Sequence, residues 1–208
     1  NGGSPSDRRL CYTTRSMEQA KAGEGAKLDA AGCRERKPAW IRVRVGRDSG
    51  VAATRERLRK YGLHTVCEAA ACPNAGTCWS CGRATVLILG DRCTRGCRFC
   101  NVDKHPVAAP DPGEPARVAD AVRESGLREV VVTSVTRDDL PDGGAALWAE
   151  TVRRIRERAP GVLVEVLVPD FQGDAAALDT VLATRPDVFG HNLETVPRLY
   201  AAARPQAD

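Results

Sequence analysis

The chain has few aromatic residues and no long apolar segment. Phe, Trp and Tyr make up 4% of its 208 residues, although its hydrophobic content of 42% is ordinary for a globular protein. A membrane-spanning helix needs about 18 or more consecutive apolar residues, and no such run is present. Residues 1–5 also have neither the basic nor the apolar part of a secretory signal. They include no initiator Met, so we expect the sequence to be incomplete at this end.

The chain also lacks a strong excess of charge of either sign. Its 31 Lys and Arg residues against 27 Asp and Glu give a formal net charge of +4, which is too small by itself to indicate a nucleic-acid partner. We therefore predict that neither nucleic acid nor a membrane is among its partners. The length suits one domain with a core of its own, with or without an extension.

Cysteine is the residue that stands out. There are nine, an odd number, and six form the patterns Cys67-x4-Cys72-x5-Cys78 and Cys93-x3-Cys97-x2-Cys100. Tight clusters of this kind are typical of metal ligands in a reducing cytosol rather than of a disulfide framework. We therefore predict a cytoplasmic protein that binds metal through thiolates, as zinc sites and iron–sulfur clusters do.

Zinc is the alternative to iron and sulfur. Cys78-x2-Cys81 and Cys97-x2-Cys100 are separated by 15 residues, which matches the spacing of a zinc-ribbon binding module. That interpretation leaves three cysteines unexplained and makes a ribbon span the apolar run 85–89. If the six cysteines instead form two triads, Cys81 is not used as a ligand, and the distant Cys11 and Cys33 are predicted to have no role in metal binding. Three thiolates leave one iron of a [4Fe–4S] cube open to a small molecule, which suits chemistry better than electron transfer.

From residue 85 onward, short apolar runs alternate with helical patterns. Strands are predicted at 85–89, 129–133, 162–168 and 187–189, and helices at 115–125, 144–158 and 174–184, after an earlier short helix at 52–62. This alternation predicts an α/β fold with a parallel sheet. Four strands are too few to close a barrel. We favour a partial TIM-type (β/α) barrel, truncated at the C-terminus, over an open sheet.

The pattern divides the chain into three parts. We predict a flexible N-terminal extension at 1–36, an arm with a loop-like first cysteine cluster at 37–84, and the incomplete barrel at 85–208. Polar residues follow each predicted strand: Asp91 and the second triad, residues 133–139, residues 169–173 and residues 191–195. In α/β barrels the active site forms at this end of the strands.

These motifs resemble a known family. Segment 93–100 (C-T-R-G-C-R-F-C) is similar to the cluster motif of the radical S-adenosylmethionine (SAM) superfamily. Within it, the triad of Cys67, Cys72 and Cys78 resembles the auxiliary-cluster motif of lipoyl synthases. Further likenesses to lipoyl synthases are at 89–95, 133–135, 137–140, 168–171 and 191–196. An Arg-Ser-Leu motif, whose serine is the fourth auxiliary ligand in that family, is not reached before residue 208, so we expect a fragment.

The resemblance implies two [4Fe–4S] clusters and S-adenosylmethionine as cofactors. The cluster on Cys93, Cys97 and Cys100 would bind S-adenosylmethionine and generate a radical, and the cluster on Cys67, Cys72 and Cys78 would donate sulfur. Four residues at strand ends are candidates for contacts with S-adenosylmethionine: Thr133, Ser134, Asn192 and Glu194. The alternative is that Glu194, Asp138 and Asp139 pair with arginines such as Arg137 and brace the loops. No residue is predicted to be catalytic in its own right.

The resemblance also implies a substrate and partners. The reaction would insert two sulfur atoms into an octanoyl chain attached to a lysine of a lipoyl carrier domain. Such domains belong to 2-oxoacid dehydrogenases and to the glycine cleavage H protein, and a reducing electron donor would be needed. A radical sulfur-inserting enzyme that acts on a free small molecule is the nearest alternative.

Overall fold

A five-stranded sheet with helices on one face organises the chain. The computed structural model describes residues 49–70, 72–104 and 106–207. Residues 1–48 lie outside the described residues. This range contains the extension predicted at 1–36, with Cys11 and Cys33, and the first part of the segment predicted at 37–84. None of the described helices is long and apolar enough to cross a membrane.

Helices and strands alternate through most of the described chain. The helices are α1 (Ser49–Lys60), α2 (Val66–Ala69), α3 (Ala75–Ser80), α4 (Glu114–Ser125), α5 (Ala145–Arg158), α6 (Ala175–Leu182) and α7 (Tyr200–Ala203). The strands are β1 (His64–Thr65), β2 (Arg83–Ile88), β3 (Arg92–Cys93), β4 (Asp103–Lys104), β5 (Glu129–Ser134), β6 (Leu163–Val168) and β7 (Val188–His191). Short 3-10 turns lie at Phe171–Gly173 and Pro197–Leu199.

The sheet has the order β1-β2-β5-β6-β7. Strands β2, β5, β6 and β7 are parallel, and only the two-residue β1 runs antiparallel to its neighbour β2. A parallel pair needs a crossover, which here is a helix each time: α4, α5 and then α6. The predicted α/β fold with a parallel sheet is confirmed, and it is consistent with a partial (β/α) barrel.

The two faces of the sheet differ in burial because successive side chains of a strand point to opposite faces. Val86, Val132 and Val166 are in register and fully buried in one core with the helices. Leu87, Thr133 and Leu167 form the next row, on the opposite face, where Thr133 and Leu167 are only half-buried. This second face is the one that meets the candidate site.

The loop-like segment predicted around the first cysteine cluster is more regular than expected. It contains β1, α2 and α3. The Thr65 hydroxyl accepts a hydrogen bond from the Glu68 amide at 3.2 Å, and this side-chain cap starts a helical turn that has no apolar periodicity of its own. β1 is too short for a sequence pattern to reveal.

Candidate functional site

The site begins where β2 ends, at a left-handed turn. Leu89 has φ +68° and Gly90 has φ +96°, a conformation that costs a residue with a Cβ about 1–2 kcal/mol. The Glu114 carboxylate accepts a hydrogen bond from the Leu89 amide at 2.8 Å, and Arg137 donates to the Leu89 carbonyl at 3.1 Å. Burial raises the pKa of Glu114, although its hydrogen bonds from the Leu89 and Gly90 amides oppose this shift.

The loop after this turn carries Cys93, Cys97 and Cys100 and is bonded along the exit of β5. The Thr94 amide and hydroxyl both donate to the Thr136 carbonyl, at 3.0 and 2.9 Å. The Cys93 Sγ accepts from the amides of Arg95 and Thr136, at 3.4 and 3.3 Å. These two amides fix the position of the Cys93 sulfur, and cysteine binds metal through such a sulfur as the thiolate.

Arg95 anchors the middle of the same loop. Its guanidinium is 3% exposed and donates to Asp138 at 2.6 and 2.9 Å and to Asp170 at 2.6 Å. Burial acts to lower the pKa of Arg95, but the hydrogen bonds and charges of Asp138 and Asp170 outweigh it and the pKa is raised. Arg98, three residues further on in the same loop, has a different environment. Arg98 is exposed, whereas Arg95 is a buried structural cation.

A cavity of about 180 Å³ opens beside this loop at the carboxyl ends of β5, β6 and β7. All three cysteines of the second triad line it, and so do the four residues predicted to contact S-adenosylmethionine: Thr133, Ser134, Asn192 and Glu194. The structure thus brings seven predicted site residues to one cavity. Phe99 also lines it, and 54% of its surface is exposed.

The polar groups in the cavity differ in how they are held. Thr133 donates its hydroxyl to the Leu167 carbonyl at 2.9 Å, and His191 Nδ1 lies 2.9 Å from the Val168 carbonyl, so both brace neighbouring strands. The Ser134 hydroxyl is buried and has no hydrogen-bond partner among the described residues. Asn192 and Glu194 are exposed at the rim, and of the carboxylates predicted as possible braces, Asp138 pairs with Arg95 and Asp139 with Arg137.

The thiols influence one another. Burial raises the pKa of Cys97, and the neighbouring Cys93 and Cys100 add to the rise, while Arg204 and Arg95 oppose it. Cys93 and Cys100 are therefore close enough to Cys97 to oppose its ionisation, as expected of three thiols that face one site. A bound cation relieves that resistance because coordination favours the thiolate outright.

The first triad has a different setting. Cys67 lies in α2 and Cys78 in α3, with Cys72 between the two helices. The Cys72 amide donates to the Cys67 carbonyl at 3.0 Å, and the Cys78 amide to the Asn74 carbonyl at 2.9 Å. All three cysteines are half-buried. None of them lines the cavity of the second triad. Asn101, which follows Cys100 in the chain, donates to the Ala69 carbonyl at 3.2 Å and so connects the loop of the second triad to this region.

The described residues do not support the zinc-ribbon alternative. Zinc needs four ligands about 2.3 Å from one point. Within the described ranges no three His, Cys, Asp or Glu side chains converge on a single ion, and this holds for the two cysteine triads as well as for the two Cys-x2-Cys pairs. In addition, β2 lies between the two Cys-x2-Cys pairs and is hydrogen-bonded to β1 and β5 inside the sheet. The residues between the two pairs therefore include a strand of the main sheet and do not form a separate ribbon.

Comparison with known proteins then identifies the family. Residues 87–207 match the model of the radical SAM superfamily. The chain belongs to the radical SAM superfamily. It is 55% identical over 174 residues to the lipoyl synthase of Chlorobaculum parvum, which covers 83% of this chain and 59% of that protein. It is 56% identical over 171 residues to that of Oleidesulfovibrio alaskensis, with 82% and 59% covered. For the lipoyl synthase of Rubrobacter xylanophilus the values are 54% identity over 174 residues, with 84% and 54% covered.

These relatives confirm the predicted resemblance to lipoyl synthases. The chain spans between 54% and 59% of the length of these three proteins. The matched superfamily segment begins inside β2 and includes the second triad, the cavity residues and Arg204. The first triad lies before it.

Radical SAM membership implies a [4Fe–4S] cluster and S-adenosylmethionine, and the cavity residues fit both. The donors are three thiols, which iron–sulfur clusters require, and two amides already point at one of the sulfurs. Two buried polar groups of the cavity, the Ser134 hydroxyl and Arg204 Nε, have no partner among the described residues. A polar ligand in the cavity would satisfy them. For the first triad the fit rests on its thiol donors alone.

Arg204 is the cavity residue that sequence reasoning missed. It is 7% exposed, and its Nη1 donates to the carbonyls of Asn192 and Leu193 at 2.8 and 3.3 Å. It lies in a segment with no strand or cysteine pattern. The one signal available was the Arg-Pro pair after a short helix, which by itself indicates only a helix end.

Proposed function

We propose that the protein is a lipoyl synthase, a sulfur-inserting radical SAM enzyme acting in the cytoplasm. Its substrate would be an octanoyl chain on a lysine of a lipoyl carrier domain, and its product the lipoyl group with two added sulfur atoms. The support is 55% identity to a lipoyl synthase over 174 residues, a span that holds both cysteine triads. The carriers would be 2-oxoacid dehydrogenases and the glycine cleavage H protein.

The observation that carries the proposal is the shared cavity. Cys93, Cys97 and Cys100 line it together with Thr133, Ser134, Asn192 and Glu194. We infer that the thiolates hold a [4Fe–4S] cluster with one open iron, and that the four polar residues hold S-adenosylmethionine. When bound, this pair of cofactors supplies a radical strong enough to remove hydrogen from an unactivated carbon.

The chain's own groups bind and orient in this scheme. The amides of Arg95 and Thr136 hold the Cys93 sulfur in place. The Ser134 hydroxyl and Arg204 Nε offer buried donors to the polar end of S-adenosylmethionine, and Asn192 and Glu194 offer an amide and a carboxylate to its ribose. The sheet residues Leu167 and Val168 exclude water from one side of the cavity. An alkyl chain gives acid–base groups nothing to act on, so no catalytic acid or base is required.

The first triad distinguishes this proposal from other radical SAM functions. Cys67, Cys72 and Cys78 would hold a second [4Fe–4S] cluster that donates sulfur, with its remaining ligand supplied from outside residues 49–207. Cys67 and Cys78 lie on helices that pack beside β2, the strand that leads to the cavity, and Cys72 lies between those helices. A cluster on the first triad would be close to the reaction without sharing the cavity that Cys93, Cys97 and Cys100 line.

Mass spectrometry of a carrier domain tests the proposal. The full-length protein is reconstituted without oxygen with iron and sulfide, then mixed with octanoylated carrier domain, S-adenosylmethionine and a reductant. We expect 5′-deoxyadenosine to form and the octanoyl-lysine to gain two sulfur atoms.

Two other outcomes would replace the proposal. Formation of 5′-deoxyadenosine with no sulfur added to any carrier, but with sulfur added to a free acyl compound, would favour the small-molecule enzyme. Stoichiometric zinc with no iron in protein purified without oxygen would favour the zinc-ribbon module. A variant lacking the leftover thiol, Cys81→Ala, serves as the control and should behave as the unchanged protein does.

A further inference from the structure

A buried aspartate joins two arginines behind the cavity. Asp170 begins the 3-10 turn after β6, where its Oδ1 accepts from the Gln172 amide at 3.0 Å. Its Oδ2 accepts from Arg95 Nη1 at 2.6 Å and from Arg204 Nη2 at 3.4 Å. The carboxylate side chain is only 6% exposed.

The first arginine belongs to the cysteine loop. Arg95 lies between Cys93 and Cys97 in the chain and uses its remaining donors on Asp138, at the exit of β5. Arg95 therefore fixes the loop of the second triad to the exits of both β5 and β6. Its backbone cannot shift without breaking ion pairs that are nearly out of contact with water.

The second arginine holds the opposite rim of the cavity. Arg204 donates to the carbonyls of Asn192 and Leu193, just before Glu194, whose φ of +63° makes its conformation unfavourable without such support. The side chains of Asn192 and Glu194 are exposed, so their position depends on the backbone. The Tyr200 hydroxyl also donates to the Leu193 carbonyl, at 3.0 Å, but Arg204 is the contact that joins this backbone to Asp170.

We propose that Asp170 is a positioning residue. It sets the distance between the cysteine loop and the Asn192–Glu194 rim, and so the spacing of the protein groups that hold the two ends of S-adenosylmethionine. The inference rests on the proposed function, because it takes S-adenosylmethionine as the ligand of this cavity. Asp170 lies behind the cavity and is not among its lining residues. It acts only through Arg95 and Arg204.

The charges of this group are balanced. Two guanidinium groups face two carboxylates, those of Asp138 and Asp170, so ion pairing compensates the burial of all four. Removing the charge of Asp170 leaves Arg95 paired with Asp138 but takes from Arg204 the carboxylate it pairs with, leaving it the backbone carbonyls of Asn192 and Leu193 and the Tyr200 ring, 5.1 Å away. The expected damage is therefore selective for the Asn192–Glu194 rim, while the cysteine loop stays anchored.

Asp170→Asn tests this selectivity, with Asp187→Asn as the matched control. Asp187 also pairs with an arginine, Arg156, and with a backbone amide, both at 2.7 Å, but at the opposite end of the sheet. Both variants are made in the full-length protein carrying Cys67→Ala, Cys72→Ala and Cys78→Ala, so that one cluster is observed. The readouts are iron content, the electron paramagnetic resonance spectrum of the reduced cluster titrated with S-adenosylmethionine, and amide hydrogen exchange of residues 190–196 in metal-free protein.

For Asp170→Asn we expect unchanged iron content, faster exchange at 190–196, and about a 10- to 100-fold higher S-adenosylmethionine concentration for half of the spectral change. Asp187→Asn should leave all three values as they are. If Asp170→Asn fails to fold or to hold iron, Arg204→Lys replaces it, because a lysine cannot reach Asp170 and two carbonyls together. Because Arg204 also lines the cavity, the deciding value for this variant is exchange at 190–196 in metal-free protein, which should be faster; an unchanged rate would overturn the inference.

Equal exchange rates and equal titration midpoints in the aspartate variant and its control would overturn the inference. A reduced cluster whose spectrum never responds to S-adenosylmethionine, even with Asp170 present, would instead overturn the proposed function and the inference with it. A response in the parent protein that Asp170→Asn weakens supports both.

Discussion

The two cysteine triads differ in what holds them. The loop of Cys93, Cys97 and Cys100 is fixed by contacts with residues distant in sequence. They lie at the exits of β5 and β6, at the end of α7 and just after it. The Ala203 carbonyl, at the end of α7, accepts from the Arg98 amide, and the Gln206 side chain accepts from the Gly96 amide. The backbone amides of Cys72 and Cys78 instead bond to carbonyls four or five residues away. The second triad is therefore held by a long-range framework, and the first by local backbone bonds.

The comparison predicts its largest effect at Cys97. Cys97→Ala removes one of three thiolates from a cluster that has no protein ligand to spare, so cleavage of S-adenosylmethionine should fall to background. The measurement is 5′-deoxyadenosine by liquid chromatography after anaerobic reconstitution. Cleavage at the unchanged rate would mean that Cys97 is not a ligand and that this triad is wrongly assigned.

Ion pairs near the two triads should differ in their contribution to stability. Arg95→Leu removes the buried cation that pairs with Asp138 and one of the two arginines that pair with Asp170, and it should lower the free energy of unfolding by about 3–5 kcal/mol. Arg59, beside the first triad, pairs with Glu68 at 2.9 Å but is 67% exposed. Arg59→Leu should therefore cost at most about 1 kcal/mol. Urea unfolding of both variants checks the difference, and equal losses would show that the two regions are held alike.

Two glycines extend the comparison to the backbone. Gly144, at the start of α5, has φ +90°, and a Cβ there would lie 2.5 Å from Cδ1 of the buried Leu89. Gly144→Ala should cost about 2–4 kcal/mol from strain and overlap together. Gly62, just before β1, has φ +63° and open space around it, so Gly62→Ala should cost only about 1 kcal/mol. Thermal unfolding of both variants tests this ranking. A larger loss of stability for Gly62→Ala than for Gly144→Ala would contradict it.

The smallest expected effect is a pH dependence from Glu114. Burial raises its pKa in the folded protein above the ordinary value of 4.5. The stability linked to its protonated form is then fully present below pH 4.5 and is lost as pH rises through the folded pKa. Glu114→Gln should reduce this loss and still accept the Leu89 amide, so its stability relative to the parent protein should increase with pH across that window.

A second glutamate gives the opposite slope and serves as the control. Arg154 and Arg153 lower the pKa of Glu150 on the exposed face of α5, so the stability it contributes is present above pH 4.5 and is lost as pH falls. Melting temperatures of both Gln variants between pH 4 and 7 would decide. A difference that shrinks with rising pH for Glu114→Gln would contradict the burial argument.

The sequence predicts the fold well because its signals are local. Apolar β-branched runs and helical periods locate β2, β5, β6 and β7 and the helices between them to within a few residues. The cavity follows from the rule that parallel strands present their carboxyl ends at one edge, so Thr133 and Asn192 could be predicted to meet the cysteine loop.

What the sequence does not reveal depends on pairing across distance. Arg95 is one of 31 basic residues, and nothing in its neighbours indicates that it is buried between Asp138 and Asp170. The left-handed conformation of Leu89 is set by Glu114 and Arg137, which lie 25 and 48 residues away in the chain. The helical turn at Cys67 depends on one capping hydroxyl, that of Thr65.

The most direct test of the two-site account is a single substitution in the first triad. Cys72→Ala, in the full-length protein with octanoylated carrier domain, should still form 5′-deoxyadenosine under reducing conditions but should add no sulfur to the carrier. If this variant keeps the iron of the other cluster yet cleaves no S-adenosylmethionine, the two triads do not have separate roles and the account is contradicted.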